Sequence, residues 1–209
     1  MLTILFPLHA AKPVKIAHGT GVYEPRKPII HLNMTSQVVT FPRPAVEIQA
    51  NVTLEEVRVN MAEMKVESKP VELVASVGSC VALCIHDSKN KCGGMAHVML
   101  PKSSIAMQEP LPAKFADTAV PALAKAVRAV SGSGASLYAK IAGGANMFPN
   151  MNTLNIGAKN IEAIKAALAA NKITLMGEDV GGSHGRRITF NITTGVATVR
   201  RFNGATTKL

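Results

Sequence analysis

Two apolar runs of strand length, VALCIHD and GGMAHVMLP, stand on either side of the turn-rich segment DSKNKC. Short apolar runs bounded by turn residues are typical of buried strands, and a few polar residues between them indicate an antiparallel hairpin. With a turn over residues 87–90, Cys80 lies directly opposite His97. Opposed residues share a face with Cβ atoms about 4.5–5.5 Å apart, so the pattern predicts a thiol beside an imidazole.

This predicted pair has two interpretations. In the catalytic one, His97 depresses the pKa of the Cys80 thiol, and the resulting thiolate–imidazolium pair is the working form of a cysteine nucleophile. Gly78 and Ser79 then stand where a tight turn can aim backbone N–H groups at a developing oxyanion. In the structural one, the cysteine is a core residue and the histidine is structural or exposed. Register is not fixed by sequence, so both interpretations stay open at this point.

The remaining cysteines fit neither a metal site nor a disulfide. Cys84 shares a strand face with Cys80 but lies about 13 Å along the strand, too far to chelate one ion or to form a disulfide with it. No C-x-x-C pair occurs in the chain. We therefore expect no bound metal, a buried Cys84, a half-buried Cys92 at a strand start, and a solvated His86 beside the turn.

The rest of the sequence predicts a mixed α/β (α+β) domain over residues 53–209. Strands are predicted in VRVNMAEMKV, VELVASVG, SLYAKIAGG and ITLMGED, and RRITFNITTGVATVRRF predicts a closing hairpin. ADTAVPALAKAVRAV and IGAKNIEAIKAALAANK carry apolar residues at helical spacing. Residues 1–52 hold half of the chain's 12 prolines and no lasting period. They are predicted to be a poorly ordered extension, or the product of a start codon assigned too early.

The chain has 23 Lys and Arg against 13 Asp and Glu, a net charge of +10, which favours an acidic partner. The basic residues are scattered and only two Tyr, six Phe and no Trp offer stacking platforms, so nucleic-acid binding is not expected. No stretch approaches the roughly 18 apolar residues of a membrane span. MLTILFPLHAA also lacks the basic start of a signal peptide. We expect a cytoplasmic protein without membrane insertion.

Six motifs, in order, resemble the CheD family of chemoreceptor glutamine deamidases: VGSCVALCIHD, GGMAHVMLP, KFADTAVPAL, KIAGGANMF, NIGAKNIEAI and EDVGGSHGRR. The resemblance covers roughly residues 57–202. It implies stacked β-sheets flanked by helices, as in cysteine hydrolases related to deamidating toxins. It also implies a protein-glutamine glutaminase, needing no cofactor, that hydrolyses selected glutamine side chains of methyl-accepting chemotaxis receptors to glutamate.

The resemblance also implies roles for single residues. Cys80 falls on the family's nucleophile and His97 on its base. The family's third catalytic residue is a threonine, and Val74 occupies that position without a hydroxyl to hold the imidazole. Ser76 is the predicted replacement through a small shift; otherwise the pair works without an orienting group, or activity is reduced.

In the implied reaction, the Cys80 thiolate attacks the carboxamide, protonated His97 releases ammonia, and His97 then activates the water that hydrolyses the thioester. The predicted partners are the receptors, whose glutamate-rich helices would attract a basic enzyme, and a CheC-type phosphatase. The alternative function is a non-catalytic or weakly catalytic binding module that docks on receptors and on the CheC phosphatase.

Overall fold

The computed structural model describes residues 53–103, 111–132, 134–147 and 155–209. The predicted extension, residues 1–52, lies outside the described residues. The strands are β1 Glu55–Arg58, β2 Met64–Glu67, β3 Val71–Val77, β4 Val81–Asp87, β5 Cys92–Val98, β6 Leu137–Gly143, β7 Thr174–Val180, β8 Arg186–Asn191, β9 Ala197–Arg201 and β10 Thr206–Lys208. The helices are α1 Ala116–Ser131 and α2 Ile156–Ala170, with a 3-10 turn at Pro112–Lys114 before α1.

The ten strands form two five-stranded sheets. The first sheet has the order β1-β3-β8-β9-β10 and the second has the order β2-β5-β4-β6-β7. Both sheets are mixed, because β1 pairs with β3 and β6 pairs with β7 in parallel while the other pairs are antiparallel. The predicted α+β class with stacked sheets is confirmed.

The second sheet is buried on both faces. One face of β4 and β5 packs against α1 and α2, and this layer contains Val81, Leu83 and Ile85. The opposite face packs against the first sheet, through Cys84 and Met95 among others. Because every position of these two strands is buried, both read as continuous apolar runs rather than as an alternating pattern.

Each helix packs against the second sheet through one stripe. The buried stripe of α1 consists of Ala116, Ala119, Val120, Leu123, Ala124 and Val127. The stripe of α2 consists of Gly157, Asn160, Ile164 and Leu168. The Asn155 side chain caps α2 by accepting a hydrogen bond from the Ala158 N–H at 3.1 Å. Within the described part of the chain, no helix is long and apolar enough to cross a membrane.

The C-terminal segment contains one strand more than predicted. The predicted hairpin is present as β8 and β9, joined by a turn in which Gly195 has φ +69°. The chain then returns as β10, antiparallel to β9. This three-residue edge strand, TTK, has no apolar alternation that would reveal it in the sequence.

Candidate active site

Cys80 lies in the short link that carries the chain from the first sheet into the second. β3 ends at Val77 and β4 begins at Val81, so Gly78, Ser79 and Cys80 form this link. The loop after β6 holds it from the side. The Gly144 N–H donates to the Cys80 carbonyl and the Ala145 N–H donates to the Gly78 carbonyl, each at 2.8 Å.

The predicted hairpin register is wrong by two residues. His97 lies opposite Ala82, and Asp87, which the prediction placed in the turn, pairs with Cys92. The Asp87 carboxylate accepts a hydrogen bond from the Lys89 N–H at 3.0 Å and Lys91 adopts a left-handed φ of +50°. The loop therefore covers residues 88–91.

A shift of two residues preserves the faces of a strand, although it changes the partners. Cys80 packs against the cluster between the two sheets, which also contains Ala82. His97 stands opposite Ala82, so its ring faces the same side of the hairpin. If the register of the ladder is extended by one residue before Val81, Cys80 is the diagonal neighbour of His97, a relationship with Cα atoms about 7–8 Å apart that long side chains can span.

His97 is 4% exposed and lines a cavity to which residues of the first sheet also contribute. Both backbone groups of His97 form hydrogen bonds: its N–H donates to the Glu63 carbonyl at 2.9 Å, and its carbonyl accepts from the Ala62 N–H at 3.1 Å. The cavity has a volume of 280 Å³. Its lining consists of Arg58, Val59, Asn60, Met61, Val74, Ala75, Ser76, His97 and Arg187.

The thiol and the imidazole both favour their neutral forms. Burial raises the pKa of the Cys80 thiol above its usual value, although its own backbone N–H acts in the opposite direction. Burial lowers the pKa of His97, and a hydrogen bond with the Val59 backbone offsets this in part. The predicted depression of the Cys80 pKa is therefore wrong for this conformation, because desolvation outweighs the backbone N–H that favours the thiolate.

The second ring nitrogen of His97 is left without a partner. Nδ1 is buried and no group of the described residues forms a hydrogen bond with it. A neutral imidazole carries its lone pair on one ring nitrogen, and Nδ1 is the nitrogen that no described group engages.

Val74 and Ser76 occupy the outer face of β3. The residues between them and on either side, Leu73, Ala75 and Val77, face the cluster between the sheets. Val74 is buried and Ser76 is exposed. Both line the cavity that contains His97, but no hydrogen bond reaches Nδ1 of His97 from Ser76. The orienting role of Ser76 stays a prediction.

Gly78 and Ser79 are held on two sides. A Cβ at Gly78 would lie 3.0 Å from Sδ of Met147, so only glycine passes under this side chain without displacing it. The Ser79 carbonyl accepts a hydrogen bond from the Asn160 side chain at 3.1 Å. Sequence reasoning missed Asn160; the signal was a polar residue within the apolar stripe of α2.

Two loops that contain glycine pack beside the link formed by residues 78–80. At the end of β6, where the loop begins, Gly143 has φ +118° and its carbonyl accepts from the Gly181 N–H at 2.9 Å. The loop that contains Gly181 is fixed by Arg186, which donates to the Gly181 carbonyl and to the Asp179 carboxylate at 2.8 Å each. Burial raises the pKa of Asp179, but hydrogen bonds from Arg186 and Arg201 more than compensate and hold it below its usual value.

The other cysteines and His86 have structural positions. Cys84 is buried as predicted, and burial raises its pKa to about 12. Cys92 was expected to be half-buried and is fully buried, because α1 covers that face of β5. His86 was expected to be solvated, but the β8–β9 turn covers it and it is 1% exposed.

All three cysteines are free thiols. Among the residues that the structure describes, no group of three or more His, Cys, Asp or Glu side chains is placed to hold a metal ion.

A thiol and an imidazole on one face of a buried hairpin, beside a cavity, place this chain among α+β proteins with a cysteine–histidine site. A family model described as "CheD chemotactic sensory transduction" matches residues 99–201. The probable chemoreceptor glutamine deamidase CheD of Geobacillus kaustophilus is 44% identical over 154 residues, covering 71% of this chain and 93% of that protein. The chemoreceptor glutamine deamidase CheD of Thermotoga maritima is 42% identical over 147 residues, covering 70% and 92%. The chain therefore belongs to the CheD family.

The matched residues of the family model begin after both Cys80 and His97. The full-length relatives extend further, because a match over 71% of a 209-residue chain necessarily spans positions 80 and 97. The resemblance drawn from the six sequence motifs is confirmed at the level of the family.

Proposed function

We propose that this chain hydrolyses glutamine side chains of chemoreceptors to glutamate, with Cys80 as nucleophile and His97 as general base and acid. The observation that supports the proposal is that Cys80, one residue before β4, and His97 of β5 lie on the same side of the hairpin, with Nδ1 of His97 buried and without a hydrogen-bond partner among the described residues. The relatives are named chemoreceptor glutamine deamidases, and this supports the proposed activity.

The reaction starts from the neutral pair. As Sγ of Cys80 attacks the carboxamide carbon, Nδ1 of His97 takes the thiol proton, and the C=O bond opens to a tetrahedral oxyanion. The imidazolium returns its proton to the nitrogen, so ammonia leaves and a thioester remains on Cys80. Water then attacks the thioester with His97 as base. Cleavage of the C–S bond releases glutamate and restores the thiol, so one water is consumed for each ammonia formed.

The oxyanion needs hydrogen-bond donors that are already in place. The backbone N–H groups of Gly78, Ser79 and Cys80 are the proposed donors. The N–H of Cys80 is the donor nearest the thiol and favours the thiolate, although burial outweighs it and keeps the thiol pKa raised.

The substrate and partner are acidic in this proposal. The net charge of +10 attracts glutamate-rich receptor helices. Arg58 lines the cavity beside His97, where it meets a carboxylate that flanks a target glutamine, whereas Arg187 in the same lining is paired with Glu56. A cytoplasmic location and association with a CheC-type phosphatase follow from the family resemblance and belong to the same proposal.

The test is conversion of glutamine to glutamate in a purified receptor cytoplasmic fragment, mapped by peptide mass spectrometry. The wild-type chain, Cys80→Ala and the matched control Cys84→Ala are compared. Conversion is expected with the wild type and with Cys84→Ala, whose thiol is buried in the core, and is expected to be lost with Cys80→Ala. Conversion by Cys80→Ala would overturn the assigned nucleophile. A folded wild-type chain that binds receptor or phosphatase without conversion would instead be a binding module.

A further inference from the structure

Asn160 is the one polar member of the buried stripe of α2, and it is 0% exposed. Its Nδ2 donates to two backbone carbonyls, that of Ser79 at 3.1 Å and that of Met99 at 2.9 Å. Two carbonyl partners fix the orientation of the amide, because only its NH₂ end can face both of them. Its Oδ1 is buried and has no hydrogen-bond partner among the described residues.

The two carbonyls belong to the open end of the hairpin. The β4–β5 ladder stops at the pair Val81 and Val98, so Ser79 and Met99 lie just beyond it. Ser79 and Asn160 are 81 positions apart in the chain. The Asn160 side chain thus continues the ladder where the strands separate, and it satisfies carbonyls that would otherwise be buried without donors.

The Ser79 carbonyl is one half of the peptide group whose N–H belongs to Cys80. This peptide is trans, so its C=O and N–H point in opposite directions. A carbonyl held toward α2 therefore directs the Cys80 N–H away from the helix. That is the side of the cluster between the sheets, where Cys80 packs and where its N–H acts on its own thiol.

We propose that Asn160 is the positioning residue of the oxyanion site: by holding the Ser79 carbonyl it fixes the peptide plane that presents the Cys80 N–H to the developing oxyanion. The inference rests on the proposed function and deepens it. Asn160 itself does not touch the substrate, since it is buried behind the link. An amide that leaves its oxygen unpaired in the core is unusual, and its donor role at the nucleophile accounts for its presence.

The experiment separates the thiol from the oxyanion site by using two reactions of Cys80. Receptor deamidation passes through an oxyanion, whereas alkylation by iodoacetamide needs only the nucleophilic sulfur. Both rates are measured for the wild type, for Asn160→Ala, which leaves a polar space that water can fill, and for the isosteric Asn160→Asp. The matched control is Asn171→Ala, which removes a side-chain bond to the Ala167 carbonyl of 2.8 Å at the other end of α2.

We expect kcat for deamidation to fall about 100-fold in both Asn160 variants, as for the loss of one oxyanion donor, with KM and the alkylation rate of Cys80 unchanged. Asn171→Ala is expected to keep its kcat. Unchanged kcat, or equal losses of kcat and of Cys80 alkylation, would overturn the positioning role. Unfolding of both Asn160 variants, seen as alkylation of the buried Cys84 and Cys92, would also overturn it in favour of a purely structural role.

These outcomes are distinct from failure of the proposed function. Deamidation that persists in Cys80→Ala, or a folded wild-type chain without any deamidation, removes the reaction itself. Full deamidation by the Asn160 variants, with loss in Cys80→Ala, leaves the reaction in place and removes only the role of Asn160.

Discussion

Ala82 of β4, and not Cys80, lies directly opposite His97 of β5. Cys80 is the diagonal neighbour of His97 and stands one residue before the strand begins. This offset leaves Cys80 in the link between the sheets. The Ser79–Cys80 peptide group lies outside the β4–β5 ladder, and its carbonyl accepts a hydrogen bond from the Asn160 side chain. The proposed nucleophile, Cys80, is therefore positioned by a loop and a helix, and the proposed base, His97, by a strand.

The first prediction concerns the pH dependence of kcat/KM for deamidation. A reaction from the neutral pair needs an unprotonated His97 and a protonated Cys80. Burial lowers the pKa of His97 below 6.5, so activity is lost only as the pH falls below this value. Burial raises the pKa of Cys80 above 9.0, so activity is lost only above this pH. We expect a broad plateau between the two limbs, measured with a receptor fragment in constant-ionic-strength buffers.

An alkaline limb well below pH 9.0 would contradict this prediction. It would report an imidazolium that loses its proton, and hence a resting thiolate–imidazolium pair. The pH dependence of Cys80 alkylation by iodoacetamide is the control, because it follows the thiolate directly.

The second prediction concerns the residue that orients His97. We expect Ser76→Ala to change kcat less than about twofold, a surface-substitution effect, because Ser76 is exposed and Val59 already engages the ring. Val74→Thr introduces the threonine that the family resemblance implies at this position, and its effect on kcat is measured beside that of Ser76→Ala. A tenfold or larger loss in Ser76→Ala would mean that Ser76 moves to His97 when the substrate binds.

The third prediction concerns the loop after β6. A Cβ at Gly143 would overlap the Cys80 carbonyl oxygen and lie 2.7 Å from the Val77 side chain, and φ at Gly143 is +118°. We expect Gly143→Ala to lower kcat at least tenfold because the link that contains Cys80 must move. Gly204→Ala is the matched control: φ there is +97° with no atom within 4 Å, so about 1 kcal/mol of stability is lost without a change in kcat. Equal kcat values for the two variants would show that the loop does not position Cys80.

The fourth prediction concerns His86, whose two ring nitrogens both have partners. Nε2 lies 2.7 Å from the Ile192 carbonyl and Nδ1 lies 2.7 Å from the Tyr138 hydroxyl. Nε2 must carry the proton, and because burial lowers the pKa of His86, the ring is neutral and Nδ1 accepts from Tyr138. We expect His86→Leu to lower the free energy of unfolding by about 2–3 kcal/mol, because the buried Ile192 carbonyl and the partly buried Tyr138 hydroxyl lose their partner. Urea unfolding measures the loss, and Tyr138→Phe is the control that removes a single bond.

The same residue links stability to pH. Burial is the main cause that lowers the pKa of His86, against the hydrogen bond that the ring donates to the Ile192 carbonyl, which raises it. Below pH 6.5 the unfolded chain binds a proton that the folded chain does not, so the free energy of unfolding decreases as the pH falls. We expect this decrease to be smaller in His86→Leu. An identical slope in the variant would mean that His86 is not the group that titrates.

The sequence alone determined the class of fold and the faces of the strands. Side chains of a strand alternate with a period of two, so a register shift of two residues leaves every side chain on its original face. The apolar runs around DSKNKC therefore placed Cys80 and His97 on the same side, although the predicted register was wrong by two residues. The helical spacing in α1 and α2 was equally direct, because one apolar stripe suffices to bury each helix.

Only the tertiary structure decided which groups surround the nucleophile. The hairpin register depends on how Asp87 closes the turn, which residue types alone do not specify. The burial of His86, the pKa directions of Cys80 and His97, and the contact of Asn160 with Ser79 all require elements from distant parts of the chain to meet. Desolvation and hydrogen bonding depend on which groups lie close together in space. The sequence pattern therefore identifies the thiol and the imidazole, whereas packing determines their protonation states and which peptide group lies beside them.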